Sequence, residues 1–228
     1  MKISNILGTL FAVFCIQFYA HSQNVYLSSP GPIFDPYSDA YLYVVSLGNW
    51  NQAEASAQSL GGNLITIHSL AENQFVVDNV LQDFSSSGGP NLSNLPLWIG
   101  LYDPTGAVND DGGSQHAQNF VWVDGSNSSY RNWNTDTSEP NDANPGEYYA
   151  AINWQFAGGL APSSMGTWND TPLAGTLGYT GNTDGPYYGI AAVPVPEPSY
   201  WGLIASSLLA LFSFKNMRQL SVSLAARS

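Results

Sequence analysis

Cysteine is almost absent from this chain of 228 residues, which contains only Cys15. A single cysteine cannot form a disulfide within the chain, so no covalent cross-link can stabilise the fold. Cys15 also lies in an apolar N-terminal run, and a chain cleaved after that run would contain no thiol. We therefore expect a mature protein without disulfides and without a cysteine nucleophile.

Positive charge is also scarce. The chain has 5 Lys and Arg residues against 17 Asp and Glu residues, a formal net charge of -12. Residues 35–197 contain all 17 acidic residues but only one basic residue, Arg131. Nucleic acid is excluded as a partner because phosphate groups need a basic surface. Such an acidic surface repels itself unless cations screen or bind it, and calcium outside the cell would do both.

The N-terminus has the pattern of a secretion signal. Lys2 gives the positive start, Ile6 to Phe18 is the apolar run, and Ala20-His21-Ser22 is a small-x-small cleavage site. We interpret residues 1–22 as a signal peptide. The alternative is a membrane anchor, but the apolar run is too short to span a bilayer easily.

The C-terminus has the pattern of a second targeting segment. Val193 to Pro198 reads Val-Pro-Val-Pro-Glu-Pro, which suits a stiff, extended stalk. Tyr200 to Phe214 is apolar, and the basic residues Lys215 and Arg218 follow it. This order resembles the PEP-CTERM sorting signal of Gram-negative bacteria over residues 193–218, with a tail at 219–228. The resemblance implies export, transient membrane anchoring, cleavage by an exosortase and association with exopolysaccharide at the cell surface or matrix. The alternative is a plain membrane anchor.

Hydrophobic periodicity and turn residues predict one α+β domain at 41–192, after a Pro- and Ser-rich leader at 23–40. Asn49 caps a helix from Trp50, and Ser69 opens a second helix through about Asp83. The predicted strands are 41–45, 64–67, 97–101, 120–123, 148–154, 166–168 and 187–193. The long polar stretch after Gly125 is of the kind that usually carries function.

The most informative motif is Glu139-Pro140-Asn141, followed by Glu147 and by Asn169-Asp170. These residues gather carboxylate and amide oxygens with no lysine nearby, and calcium prefers six to eight oxygen ligands. A cis bond before Pro140 would turn both neighbouring side chains toward one point. The alternative for Glu-Pro-Asn alone is an acidic, turn-rich surface loop.

Several motifs in order resemble the C-type lectin-like domain, from Tyr41 to about Ala192. The residues that carry the resemblance are Trp50, Ala53, Gly61-Gly62, Leu64, Glu72-Asn73, Trp98-Ile99-Gly100-Leu101, Trp122, Gly125, Trp133, Glu139-Pro140-Asn141 and Trp168-Asn169-Asp170. The implied fold has two helices, short antiparallel sheets and a long calcium-binding loop. Ala57, Tyr149, Leu173 and Ala191 stand at the positions where family members have two disulfides.

By this resemblance, one Ca²⁺ and a sugar would share a single ligand set: Glu139, Asn141, Glu147, Asn169 and Asp170. In the family Glu-Pro-Asn goes with mannose-type ligands and Gln-Pro-Asp with galactose, so mannose, glucose, N-acetylglucosamine or fucose is favoured. The side chains Asp142, Asp103, Asp110 and Asp111 could serve a second calcium. Tyr148 stands where a further carboxylate is common, so the second site is expected to be incomplete.

Three functions are compared. A calcium-dependent carbohydrate-binding protein explains the intact ligand set. The alternative is a structural or adhesion module of the same fold that uses calcium only to order its loop. An enzyme is not expected, because the chain has no HExxH motif, no nucleophile elbow and no convincing His partner for a serine. Glu139 and Glu147 could form a glycosidase pair, but they suit calcium better.

Aromatic and histidine residues complete the expectations. Trp98, Trp122, Trp133 and Trp168 are expected in the core rather than on a sugar-binding surface, whereas Trp154, Tyr179 and Tyr187 stay undetermined. His68 and His116 are expected to be surface or capping residues rather than metal ligands.

Overall fold

The computed structural model describes residues 25–106, 114–142, 146–154, 165–175 and 185–196, with the side chains of residues 114–116 excluded. Contacts divide the chain into two units, Met1–Pro194 and Val195–Ser228. The fold described below belongs to the first unit. The predicted signal peptide, Tyr200 to Phe214, the C-terminal tail, Asp110, Asp111 and Tyr179 lie outside the described residues.

The described residues of the first unit alternate short strands with three helices. They are β1 Ile33–Asp35, β2 Ala40–Gly48, α1 Trp50–Ser59, β3 Asn63–Leu64, α2 Leu70–Asn79, β4 Leu97–Tyr102, α3 Ser114–Asn119, β5 Val121–Trp122, β6 Tyr149–Ile152, β7 Trp168–Thr171 and β8 Tyr187–Pro194. None of the described helices is long and apolar enough to cross a membrane.

The eight described strands form one sheet, in the order β1-β2-β8-β4-β6-β7. β3 pairs with β8, and β5 pairs with β4. β8 lies antiparallel to β2, with Tyr43 opposite Ala191, but parallel to β4, with Trp98 opposite Gly189. The expectation of separate antiparallel sheets is thus corrected to a single mixed sheet, because β8 returns between β2 and β4.

Several predicted elements differ from the observed ones. A third, short helix occurs at Ser114–Asn119, so the expectation of two helices was too low. β1 lies inside the segment expected to be a leader. This part of the leader is a strand because it pairs with β2, with Phe34 opposite Tyr41. α2 ends at Asn79 rather than Asp83. The predicted strand ended at Trp168, whereas β7 begins there. Its pairing with β6 extends from Trp168 to Thr171.

Both main helices begin at side-chain caps that the sequence predicts. The Asn49 side chain accepts the Gln52 amide at 2.9 Å while the Gln52 side chain accepts the Asn49 amide at 2.9 Å, a full capping box. The Ser69 hydroxyl accepts the Glu72 amide at 3.2 Å, but the Glu72 carboxylate accepts the His68 amide at 2.6 Å instead of completing the box. His68 therefore belongs to the start of α2, as expected.

The core consists of two hydrophobic clusters, one on each side of the sheet's central strands. One contains Ile67, Val76, Ile99, Trp122 and Trp168 among others. The other contains Trp50, Ala57, Trp98, Tyr187 and Ala191, with Tyr149 and Leu173 packed against it. All four positions at which the resemblance implies disulfides thus lie in one apolar cluster. Packing of nonpolar surface therefore stabilises this region without a covalent cross-link.

Candidate functional site

The long loop connects β5 to β6, and backbone hydrogen bonds to β7 hold its first part. The amide of Trp168 donates to the Asn132 carbonyl at 2.8 Å, and the amide of Asn134 donates to the Trp168 carbonyl at 2.9 Å. Asn134 is 2% exposed, and its side chain accepts the Asp136 amide at 3.0 Å. The Glu139 amide then donates to the Asn134 carbonyl at 3.0 Å, which fixes the start of Glu-Pro-Asn.

The Glu139–Pro140 peptide bond is cis. Beyond it, the Asp170 carboxylate binds the loop backbone. One oxygen accepts the Asn141 amide at 3.1 Å and the other accepts the Asp142 amide at 2.8 Å. Asp170 is completely buried on β7. This pair of charge-assisted hydrogen bonds joins the Glu-Pro-Asn segment to the strand that carries Asn169 and Asp170.

A second carboxylate closes the loop. One Asp142 oxygen accepts the Gly146 amide at 3.1 Å and the Glu147 amide at 3.2 Å. Asp142 itself has a positive φ of 43°, a conformation that Asp tolerates better than most residues. The backbone from Asn141 to Glu147 is therefore attached at both ends by carboxylates, although residues 143–145 are outside the described structure.

The five predicted ligands differ in how closely the structure joins them. The Asn141 amide donates directly to the Asp170 carboxylate. Glu147 is linked to Asp170 through Asp142, whose carboxylate accepts the Glu147 amide and whose own amide donates to Asp170. Asn169 precedes Asp170 in β7. The Asn169 side-chain amide donates to the Asp170 carbonyl. Glu147 is 4% exposed and Asn169 is 5% exposed. Four of the five residues thus belong to one connected region.

Glu139 also lines a cleft of about 500 Å³. The remaining residues of this cleft are Arg131, Asn132, Trp133, Asn134, Thr135, Asp136 and Thr167. None of the other four predicted ligands lines it. Glu139 is thus the one predicted ligand that borders this cleft, and none of the hydrogen bonds described above joins it to the other four.

The donor set fits calcium in its chemistry. It provides three carboxylates and two side-chain amides, all of which offer oxygen ligands. Two of the carboxylates, Glu147 and Asp170, are buried. Arg131 donates its hydrogen bonds to backbone carbonyls and not to these carboxylates. Within the described ranges, however, no three His, Cys, Asp or Glu side chains are grouped so as to hold a metal ion. The convergence of all five residues on one ion stays a prediction.

The Asp103 side chain is engaged locally. One Asp103 oxygen accepts the Thr105 amide at 2.7 Å and the Thr105 hydroxyl at 2.6 Å. The Asp103 amide donates to the Tyr148 carbonyl at 2.8 Å. Together with the Asp142 hydrogen bonds, these contacts show carboxylates serving as loop closures at two positions considered for a second calcium.

The sole basic residue between the terminal segments is part of the loop's framework. Arg131 donates to the carbonyls of Ser128 at 2.9 Å, Tyr130 at 2.8 Å and Phe120 at 3.0 Å. Its guanidinium carbon lies 5.4 Å from the centre of the Trp122 ring, a cation–π distance. Burial lowers the pKa of Arg131. The guanidinium is therefore a structural group that holds residues 120–131, where the loop begins, in a fixed conformation.

A model of the lectin C-type domain matches residues 46–173. The chain belongs to the C-type lectin domain family. Among its relatives, ladderlectin of Oncorhynchus mykiss is 35% identical over 118 residues, which are 52% of this chain and 52% of that protein. Chondrolectin of Homo sapiens is 35% identical over 103 residues, 44% of this chain and 35% of that protein. The chain thus spans about half or less of these curated relatives.

Solved structures are more distant. Human lithostathine has 22% sequence identity and a TM-score of 0.48, with coverage of 72% of this chain and 98% of that chain. The match to the lectin C-type domain and the observed order of helices and strands confirm the α+β, C-type lectin-like fold predicted from the sequence.

The tryptophans of the lectin domain act as core residues. Trp98 and Trp168 are fully buried, Trp122 is 3% exposed, and Trp133 packs against the core at an edge-on angle to Trp168. The expectation that these four are not sugar-binding surfaces is confirmed for Trp98, Trp122 and Trp168, and Trp133 is half-buried. The undetermined Trp154 and Tyr187 are also buried.

The structural roles of three residues around the candidate site were not predicted, although the sequence analysis named each of them. Asn73 on α2 contacts β7, Arg131 holds the loop base, and Asp142 closes the loop. Two sequence signals were available: Arg131 is the only basic residue in the acidic region, and Asn73 is a polar residue one turn before an inward-facing valine. Their hydrogen-bond partners lie 1 to 95 residues away, and the distant partners have no local signature in the sequence.

Proposed function

We propose that this lectin domain binds carbohydrate through one calcium ion held by Glu139, Asn141, Glu147, Asn169 and Asp170. Calcium would supply coordination positions for two neighbouring sugar hydroxyls. The observation that carries the proposal is the hydrogen bonding of the Asp170 carboxylate to the amides of Asn141 and Asp142, at 3.1 and 2.8 Å. It ties two sequence motifs 29 residues apart into one region.

The side chains would also select the ligand. A carboxylate accepts hydrogen bonds only, whereas an asparagine amide both donates and accepts. Glu139 and Glu147 would accept hydrogen bonds from sugar hydroxyls, while Asn141 and Asn169 would donate hydrogen bonds to the same hydroxyl oxygens. This alternation suits a vicinal pair of equatorial hydroxyls, so mannose, glucose, N-acetylglucosamine or fucose is the proposed class. Weak monosaccharide affinity would be strengthened by multivalent display.

The terminal segments place this activity outside the cytoplasm in our proposal. Residues 1–22 act as a signal peptide, and residues 193–218 act as a PEP-CTERM sorting signal cut by an exosortase. The protein would then be anchored transiently in the inner membrane before it reaches the cell surface or extracellular matrix. An exopolysaccharide of the producing cell is the natural candidate ligand.

The second candidate is a non-sugar adhesion module of the same fold. It is favoured by the carboxylate closures at Asp103 and Asp142, which order loop backbone through hydrogen bonds alone. In that case calcium would stabilise the loop without creating a sugar site. The two candidates differ in whether any glycan is retained when calcium is present.

The test is retention of the full-length chain on mannose resin and on a glycan array, with calcium and with EDTA. We expect calcium-dependent retention and elution by the chelator. The double variant Glu139→Gln with Asn141→Asp keeps the formal charge but reverses the amide–acid pattern, and it should lose mannose and gain galactose. Unchanged mannose retention in EDTA or in this variant would contradict the proposal.

The chain offers a matched control for that variant. Gln74 and Asp78 form an exposed amide–carboxylate pair on α2, with a 2.9 Å hydrogen bond. The double variant Gln74→Glu with Asp78→Asn makes the same kind of exchange away from the loop. It should bind mannose as the wild type does. Calcium binding without retention of any glycan would favour the adhesion module.

A further inference from the structure

A second cleft lies away from the loop, where β8 runs between β2 and β3. Its volume is about 200 Å³. Its polar lining consists of Ser38, Asn63, Thr66, His68 and Asp124. Asp124 belongs to the start of the loop after β5, but none of these residues belongs to the predicted calcium site or lines the cleft beside Glu139.

Small residues create the space. Ala40 and Ala192 line the cleft from β2 and β8, and Gly61-Gly62 bring in the turn after α1. A Cβ at Gly62 would lie 2.0 Å from the Ala192 carbonyl oxygen, so this close approach of the turn to β8 requires glycine. The cleft is therefore part of the packing of three strands and a turn, and not a gap beneath a loose loop.

Thr66 places a buried hydroxyl group in the lining of the cleft. It is 4% exposed, and its hydroxyl has no hydrogen-bond partner in the described part of the chain. A buried hydroxyl without a hydrogen-bond partner destabilises the folded state. A molecule in the cleft that both donates and accepts hydrogen bonds would remove this destabilisation.

His68 and Asp124 define the polarity of that molecule. The His68 Nδ1 atom lies 3.0 Å from the Glu72 carboxylate, which holds the ring and leaves Nε2 as its other polar atom. One Asp124 oxygen accepts the Ser126 amide at 2.8 Å, and the second oxygen has acceptor capacity. Among the described residues, no lysine or arginine lines the cleft. The lining thus suits hydroxyl donors and disfavours anions.

The apolar part of the lining suits a sugar ring. Leu64, Ala192 and Pro194 present aliphatic surface beside the polar groups, and a pyranose likewise has C–H faces and hydroxyl edges. The volume is below the roughly 300–1,000 Å³ of pockets for drug-sized ligands, so it admits one ring rather than a chain. We propose that this cleft is a second, calcium-independent binding site for a single neutral sugar residue.

The site would complement the loop site. A lectin domain with two independent sugar sites on different elements could bind two residues of one polysaccharide, and linked binding raises the overall affinity. The proposal does not depend on calcium or on the five predicted ligands. It can therefore fail while the loop site stands, and the reverse also holds.

The test uses the full-length chain in EDTA, so that a calcium-dependent site cannot bind sugar. Methyl α-mannoside, methyl α-glucoside and methyl α-galactoside are titrated, with NMR saturation transfer as the signal. We expect saturable binding of at least one glycoside, retained in the Glu139→Gln with Asn141→Asp variant. Absence of saturable binding of all three overturns the proposal, as does binding that appears only for an amino sugar added as a fourth probe.

Variants of the cleft test its location. Thr66→Val keeps the shape but removes the hydroxyl, and it should weaken binding roughly 3- to 10-fold. Ala192→Leu fills the cleft and should abolish binding. The controls are Asp78→Asn and Ala71→Leu at exposed positions of α2, which should bind as the wild type does. If Ala192→Leu does not fold, Thr66→Val decides alone, and wild-type affinity in that variant overturns the assignment.

Discussion

At the scale of single residues, Asn73 shows how one buried side chain supports the site without belonging to it. Its amide donates to the Gly166 carbonyl at 3.1 Å, and its oxygen accepts the Trp168 indole N–H at 2.9 Å. Asn73 is 4% exposed and Trp168 is fully buried. The residue therefore fixes the ring that precedes Asn169 and Asp170 in β7.

We predict that Asn73→Ala lowers the free energy of unfolding by about 2–4 kcal/mol, because it leaves a buried indole N–H and a buried carbonyl without partners. Urea denaturation of the full-length chain would measure the change. Gln74→Ala, at the neighbouring exposed position, should change stability by less than about 0.5 kcal/mol. Equal stability of the two variants would show that the hydrogen bonds to β7 contribute little.

At the scale of elements, the long loop is held by backbone-directed side chains at its base and its tip. Arg131 bonds three carbonyls of residues 120–130 at the base. Asp170 and Asp142 accept four amides at the tip. Irregular backbone lacks the regular pairing of a sheet, so side chains satisfy its polar groups instead. This explains how a loop without disulfides keeps a defined course.

Arg131→Lys should destabilise the protein by about 1–3 kcal/mol, because an ammonium group cannot reproduce the planar fork that reaches three carbonyls. Thermal and urea unfolding would measure the loss. Arg131→Met provides the comparison, since it removes the charge and keeps a similar apolar stem. We expect the lysine variant to lose most of what the methionine variant loses. A lysine variant as stable as the wild type would mean that charge, rather than geometry, is what the loop base needs.

At the scale of the whole molecule, the balance of charge and packing links stability to cations. The 17 acidic residues concentrated between positions 35 and 197 are opposed there by one arginine. Two apolar clusters stabilise the fold, and one of them includes or contacts all four positions at which the resemblance implies disulfides. A bound divalent cation would add both charge neutralisation and a link between the loop and β7.

Calcium should therefore raise the melting temperature. A ligand at 100 times its Kd stabilises the folded state by about 2.7 kcal/mol, which corresponds to roughly 5–10 °C for a protein of this size. Differential scanning calorimetry with calcium and with EDTA would measure the shift. Sodium chloride at matched ionic strength controls for screening, and Asp170→Asn controls for the site. An equal shift with sodium, or in the variant, would argue against a specific calcium site.

The donor residues and their neighbours differ in how far they could be foreseen. Glu139, Asn141, Glu147, Asn169 and Asp170 are visible as a motif set, because oxygen-rich residues cluster at two points of the chain. The attachment of Asp170 to the amides of Asn141 and Asp142 is not visible, because it depends on where β7 lies relative to the loop. The register of β6 with β7, which places Asp170 opposite Ala150, decides it.

Local patterns, by contrast, fixed much of the fold. The caps Asn49 and Ser69 start the helices where the sequence predicts, because capping is a contact over three residues. Membership in the C-type lectin domain family, the lack of disulfides and the burial of the tryptophans of the core follow from residue types and their order along the chain.

Only the tertiary structure decided the mixed sheet, the role of Arg131 and the cleft beneath Thr66. Each depends on groups brought together from distant segments: β8 inserts between β2 and β4, and Arg131 reaches back to Phe120. Ala192 meets the turn at Gly62 for the same reason. Residue periodicity encodes which side of an element is buried, but the partner across the interface is chosen by the packing of the whole chain.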